Sequence, residues 1–118
     1  MRLSNTEFNF GKIPVNKIVA GESVILEGIE EFHYISVSGG CSCTDAKLDD
    51  NKIKFTFDPA KKVGELKEGE QKTSPVYLII HLDKDVQEFI ADPLTGKKIT
   101  NQDKRQIRLP INYVAYGV

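Results

Sequence analysis

The chain lacks tryptophan, has a single methionine and two cysteines, and shows no excess of charge of either sign. Its 16 basic and 17 acidic residues give a formal net charge of −1, whereas phosphate binding needs concentrated positive charge. The basic pairs Lys61–Lys62 and Lys97–Lys98 are short and indicate solvated surface. The balance of charge therefore argues against a nucleic-acid binder and against an anionic-membrane binder.

Long apolar runs are also absent. The longest, Val76–Leu82, contains His81 and is far shorter than a membrane span. Met1–Ser4 leads directly into polar residues, without the apolar run of a signal peptide. We therefore expect the protein to be made and kept in a cytosolic compartment, with no membrane as its partner.

The sequence shows no constellation of catalytic or cofactor-binding residues. It contains neither a Gly-x-Ser-x-Gly elbow, nor a Gly-x-Gly-x-x-Gly motif, nor a phosphate loop. Asp49, Asp50 and Asn51 lack the spacing and the closing glutamate of a calcium loop. We interpret His33 and His81 as structural histidines in strands. The expectation is a protein that is not an enzyme and needs no cofactor.

What the sequence does contain is alternation of apolar and polar residues, the pattern of half-buried β-strands. The clearest case is Lys52–Phe57, in which the aromatic and aliphatic side chains share one face. Val76–Leu82 is apolar on both faces, which predicts a central strand. Gln106–Tyr116 is predicted to close the chain, and Pro110 within it indicates an edge strand or a bulge.

About seven short strands separated by turn signals predict an all-β, immunoglobulin-like sandwich that forms a single domain over residues 1–118. Residues 20–22 and 49–52 are predicted turns, residues 32–38 a strand, and residues 60–74 an exposed loop with a short helical turn. The predicted core contains Ile35, Val37, Phe55, Phe57, Leu78, Ile80 and Ile111.

Residues 83–104 are longer than a minimal sandwich needs between two strands. Val86–Ile90 and Lys97–Thr100 are predicted to form a β-hairpin arm around the turn Asp92–Gly96. An isolated hairpin is only marginally stable in water, so we expect this inserted arm to dock on a partner by apolar contact or strand addition. The predicted partner-binding residues are Phe89, Ile90, Leu94, Lys97, Lys98 and Ile99.

Cys41 and Cys43 stand in a glycine-rich corner at residues 39–44. Residues i and i+2 of an extended segment face the same side, so two thiolates there are weak candidates for a soft metal. Two ligands do not complete a zinc site, which leaves packing, a metal or redox role, and a local disulfide as alternatives. We expect reduced, metal-free thiols, because the disulfide would close a very short loop and would form poorly in a reducing compartment.

Three segments of the chain, in the order Phe10–Ile13, Val19–Val24 and Ile35–Thr44, match a series of motifs that recurs in a known family. In this order the chain resembles the bacterial DUF1573 family, within the wider group of ASH-type (ASPM-SPD-2-Hydin) immunoglobulin-like domains. The resemblance covers about residues 6–58, and residues 107–115 resemble the usual final strand. It implies an immunoglobulin-like sandwich without established catalysis, and it assigns no catalytic residue to this sequence.

The sequence departs from that family at two places. The corner reads Gly-Cys-Ser-Cys-Thr where the family has Ser-Cys-Gly-Cys-Thr, and Asn9 stands where the family has aspartate. Members of the family look exported, whereas this chain shows no export signal.

A free-standing domain of this type is similar to the small immunoglobulin-like proteins that decorate the capsids of tailed phages. Those proteins assemble in the bacterial cytosol and bind capsomers from outside. We therefore expect a virion structural protein whose partners are capsid proteins, other structural proteins or further copies of itself. The alternatives are a cytoplasmic ASH-like scaffold or adhesion module of a bacterium, and a metal or redox protein that uses the cysteine pair.

Overall fold

The computed structural model describes residues 2–83, 89–90, 98–99 and 105–118. Within these residues the chain forms mainly β-strands, with one 3-10 turn at Ile29–Glu31 and one short α-helix, α1, at Pro59–Val63. The strands are β1 (Arg2–Leu3), β2 (Phe8–Pro14), β3 (Val19–Glu27), β4 (Ile35–Gly39), β5 (Thr44–Asp49), β6 (Lys52–Phe57), β7 (Gln71–Lys72), β8 (Val76–Leu82), β9 (Phe89–Ile90), β10 (Lys98–Ile99) and β11 (Gln106–Tyr116).

The strands form two sheets. Sheet one has the order β10-β9-β1-β3-β6-β5. Sheet two has the order β2-β11-β8-β4, with β7 paired to β11 beside this path. The two sheets pack face to face, which confirms the predicted all-β sandwich.

The core lies between the sheets and is built by strict alternation along the strands. In β6 the side chains of Ile53, Phe55 and Phe57 are buried, while the residues between them face solvent. Two edge-on ring contacts join the sheets, with centroids 4.6 Å apart for Phe8 and Phe55 and 4.7 Å apart for Phe57 and Tyr113.

Most of the predicted core is confirmed. Phe55, Phe57, Leu78, Ile80 and Ile111 are buried. The other two predicted members, both in β4, are only half-buried and pack against the margin of the core. Their strand lies at the end of sheet two, where burial is incomplete because no strand of the described residues pairs with its far side.

The predicted turn at residues 20–22 is wrong, because these residues lie in the middle of β3. Gly21 stands opposite Phe55 in the β3–β6 ladder, and a Cβ at Gly21 would lie 2.7 Å from the phenyl ring. The glycine therefore makes room for an aromatic ring instead of turning the chain. The predicted turn at residues 49–52 is confirmed, and Asp50 within it has a φ of 54°.

The prediction that Pro110 marks an edge strand or a bulge is confirmed only in part, because β11 as a whole lies between β2 and β8. The carbonyl oxygen of Arg105 accepts from the Leu82 N–H, so the backbone N–H and C=O groups of odd-numbered residues in β11 point toward β8. The backbone of Pro110 points toward the opposite side, where β2 lies. On that side the ladder with β2 begins only at Ile111. The missing N–H of the proline therefore falls just outside the β2 ladder. The ladder shifts register after Asn112, so a bulge is present close by.

The segment before β8 contains more structure than a loop. Asp58 caps α1 by accepting from the backbone N–H of Ala60 at 3.2 Å, and Pro59 occupies the first turn, where a proline is favourable. The short helical turn expected in this segment is thus present, and β7 follows it. The strand expected at residues 32–38 begins only at Ile35, because the 3-10 turn at Ile29–Glu31 precedes it.

We predict that Phe55→Ala lowers the free energy of unfolding by about 3–5 kcal/mol, because a buried ring that touches Phe8 and Phe10 leaves a cavity. Chemical denaturation monitored by circular dichroism measures this loss. Ile18→Ala is the control, because Ile18 is 60% exposed and its truncation should cost little. A loss below about 1 kcal/mol for Phe55→Ala would place this face of β6 in solvent.

Candidate functional site

The described part of the predicted arm is a pair of short strands. Phe89 pairs with Ile99 and Ile90 with Lys98 in antiparallel register, as a hairpin requires. Leu94 and Lys97, two of the predicted partner-binding residues, lie outside the described residues.

The strand pair lies at the end of sheet one. β9 pairs in parallel with β1 through Ile90 and Arg2. β9 and β10 thus widen the sheet by two strands beyond β1. Arg2 is held at this junction by a 3.1 Å contact between its Nη1 atom and a carboxylate oxygen of Glu27. Four of the predicted partner-binding residues, Phe89, Ile90, Lys98 and Ile99, are therefore on the last two strands of one sheet.

Asp83 stands where the insertion leaves β8. Its carboxylate accepts a hydrogen bond of 3.4 Å from the backbone N–H of His33. Although desolvation acts to raise the pKa of Asp83, hydrogen bonds from the backbone N–H groups of Tyr34, Asp83 and His33, together with the charge of His33, hold it below its usual range. The carboxylate thus ties the start of the insertion to the segment before β4. Sequence spacing could not reveal this contact between residues 50 positions apart.

The cysteine corner corrects the expectation of free thiols. The structure joins Cys41 and Cys43 in a disulfide, and their Cα atoms lie 5.2 Å apart, within the span that a disulfide bridges. Cys43 is buried within the core, and Cys41 is half-buried and packs against it. The bend before them is tight, because a Cβ at Gly39 would lie 2.6 Å from the carbonyl oxygen of Thr44.

Ser38 and His81 form a hydrogen-bonded pair across β4 and β8, with 2.9 Å between Oγ and Nε2. A nucleophilic triad needs a serine on a strained elbow and an acid that orients the imidazole. Ser38 instead lies within the regular ladder of β4. The pair is better explained as a side-chain link between strands, and it agrees with a structural role for His81.

An open groove of about 500 Å³ lies on the outer face of sheet one. Its lining mixes charges of both signs, and Lys54 within it contacts Asp49 at 3.8 Å. A second groove of about 330 Å³ lies on sheet two beside Pro75, Tyr77 and Pro110. In the parts of the chain that the structure describes, no group of three potential metal ligands comes together.

Comparison of the chain with protein-family models, with curated proteins and with solved structures gave no match. The resemblance to the DUF1573 and ASH-type domains therefore depends on the sequence motifs alone. Among the described residues, no helix has the length and apolar character to cross a bilayer.

We predict that protein purified without reductant has no titratable thiol and binds neither zinc nor copper. Reduction should leave the sandwich folded, because opening so small a ring costs only about 1–2 kcal/mol of loop entropy. Alkylation is done after unfolding, because Cys43 is buried. Mass spectrometry after alkylation and metal analysis measure both points, with Cys41→Ser/Cys43→Ser as the control. Stoichiometric metal in anaerobically prepared protein would show that the thiols are ligands instead.

We also predict a pH-dependent effect of Asp83→Asn. Because the pKa of Asp83 is lower in the folded state, its charge stabilises the fold above the unfolded-state value of about 3.9 and loses this effect as the pH falls through the folded-state value. The melting temperature of Asp83→Asn should be below that of the wild type at neutral pH and equal to it in strong acid. Asp83→Ala, which removes the acceptor itself, should remain less stable in acid as well. A pH-independent difference for Asp83→Asn would contradict the role of the charge.

Proposed function

We propose that this chain is a non-enzymatic, protein-binding module of immunoglobulin-like type, and that it is a capsid-associated or decoration protein in the virion of a tailed phage. The observation that carries the proposal is the extension of sheet one by β9 and β10, which belong to an insertion that the sandwich itself does not require. The partner is a structural protein of the particle.

The position of β10 suits strand addition. It is the last strand in the order of sheet one, and a partner strand binds such an edge through backbone hydrogen bonds, with side-chain pockets adding specificity. Phe89, Ile90, Leu94 and Ile99 are apolar residues of the insertion. Lys97 and Lys98 form its adjacent basic pair, in a segment (83–104) that carries four lysines and five acidic residues. A partner with an open strand and acidic groups opposite Lys97 and Lys98 would be complementary to this part of the insertion.

A disulfide between Cys41 and Cys43 is compatible with a virion protein. Disulfides persist in oxidising surroundings, and a reducing cytosol keeps thiols free. A virion protein is made in the host cytoplasm and then leaves it with the particle, so its thiols can close after release. A cytoplasmic scaffold of the host has no such step.

The same disulfide favours a second candidate, a redox protein that uses the cysteine pair. Closure takes two electrons and two protons from the thiols and passes them to an oxidised acceptor, such as a disulfide of a thiol-exchange protein. Half-burial leaves Cys41 as the sulfur that a thiolate can reach. Catalytic turnover of a small-molecule disulfide with a dithiol reductant would support this candidate over a binding module.

We predict that replacing residues 85–102 by a short Gly-Ser linker leaves the sandwich folded and sharply reduces binding to capsid particles. Co-sedimentation with particles assembled from the capsid protein encoded in the same genome measures binding, and thermal unfolding measures the fold. Unchanged binding by the folded variant would move the contact surface elsewhere, with residues 39–44 as the next candidate. Failure of the wild type to sediment with the particles would contradict the virion proposal.

A matched pair of variants isolates the charge contribution. Lys97→Ser/Lys98→Ser should weaken binding, and the loss should shrink as salt rises, because salt screens charge–charge attraction between exposed groups. Lys61→Ser/Lys62→Ser removes the same charge from a different part of the chain and should bind like the wild type.

A further inference from the structure

Sheet two ends in an edge whose apolar side chains are incompletely covered. β4 pairs only with β8 among the described strands. Ile35 and Val37 face the core but remain half-buried, whereas Ile80 and Leu82 opposite them are 0% and 7% exposed. A further strand beside β4 would complete the burial of these two side chains.

The other sandwich edges carry features that discourage strand pairing. β2 contains Gly11 with a φ of 65°, a shift of register and Pro14. β5 alternates Asp45, Lys47 and Asp49 on its exposed face. Bulges, prolines and charged side chains are the usual means by which edge strands avoid association, and β4 has none of them.

The free backbone groups of β4 can be assigned. The N–H of Gly40 donates to the carbonyl oxygen of Tyr77 at 2.9 Å, so Gly40 faces β8. In an antiparallel strand the backbone N–H and C=O groups of alternate residues point toward the same neighbouring strand. The backbone groups of the two serines of β4 therefore also point toward β8. Ile35, Val37 and Gly39 therefore direct their N–H and C=O groups away from the sheet.

These groups are self-complementary. A two-fold axis at Val37 sets Val37 against Val37 of a second copy and Ile35 against Gly39, so that each free N–H meets a free C=O. The same register sets Ser36 against Ser38, and no charge opposes another. An isologous antiparallel pairing of this kind joins two five-stranded sheets into one.

Tyr34 fits the same register. Its side chain is 58% exposed and is therefore available for contact with a second copy. The two-fold register sets Tyr34 against Gly40 of the second copy. Gly40 has no side chain, so it leaves space between Tyr34 and Tyr77, the residue beside Gly40 on β8. Aromatic side chains commonly cover a glycine on the neighbouring strand in this way.

We propose that two copies of this chain associate through antiparallel pairing of their β4 strands about Val37. This homodimer is separate from the binding proposed for β9 and β10, and it leaves those strands free. Its test needs no capsid, so it can fail or succeed independently of the proposed function.

The test measures oligomeric state by analytical ultracentrifugation over a concentration series. The wild type should show a concentration-dependent monomer–dimer equilibrium. Ser36→Lys/Ser38→Lys opposes like charges across the two-fold axis and should be monomeric, as should Ser36→Glu/Ser38→Glu. Mixing the two variants sets lysine against glutamate and should restore a dimer that contains one of each. Asn16→Lys/Thr56→Lys adds the same charge at exposed positions away from β4 and should dimerise like the wild type.

Tyr34→Ala is the milder variant, and it keeps the proposal testable if the charged variants unfold. It should raise the dimer dissociation constant roughly tenfold, the scale of a lost aromatic contact. Ile18→Ala, at a residue of similar exposure, should leave the constant unchanged. A wild type that stays monomeric over the whole series, or a dimer insensitive to both β4 changes, would overturn the proposal.

Discussion

The structure depends on the packing of aromatic rings between the two sheets. Phe55 and Phe57 project from β6 of sheet one and meet Phe8 and Tyr113 of sheet two edge to face. Each ring fills space that the opposite sheet would otherwise leave empty, so the spacing and register of the sheets follow from these contacts. Gly21 is part of the same constraint, because any side chain there would occupy the position of the Phe55 ring.

With the core packed in this way, the function that we propose for the chain depends on the edges of its sheets. A sandwich leaves open strands at the ends of its sheets, and each open strand is a site for pairing. Here one end of sheet one is occupied by strands from the insertion, and one end of sheet two is the uncharged β4. The two proposed interactions use these different ends, which allows a dimer and a larger assembly to form together.

The corner between β4 and β5 links the two sheets. Gly39 and Gly40 let the chain bend close to Thr44 and Tyr77, and the bend brings Cys41 and Cys43 to disulfide distance. This corner follows directly on β4, the proposed dimer edge, so the cysteines lie next to the strand that would pair. Asp83 adds a second tie, from the start of the insertion to the segment that leads into β4.

The sequence by itself determined the fold class, most of the core and the existence of the insertion. Alternation along one strand is a local property with a period of two, so Phe55 and Phe57 could be assigned to the core without knowledge of their partners. The turn at residues 49–52 and the return of the chain after Phe89–Ile90 were predictable for the same reason, because turn chemistry is local.

Only the tertiary structure decided what depends on partners distant in the chain. Gly21 looked like a turn until Phe55 was placed opposite it, and only the strand order showed that β11, which contains Pro110, lies between β2 and β8. The Ser38–His81 bond spans 43 residues, and the openness of β4 depends on which strand is its neighbour and which side has none. Strand order is set by long-range packing, and a single sequence carries no local signal of it.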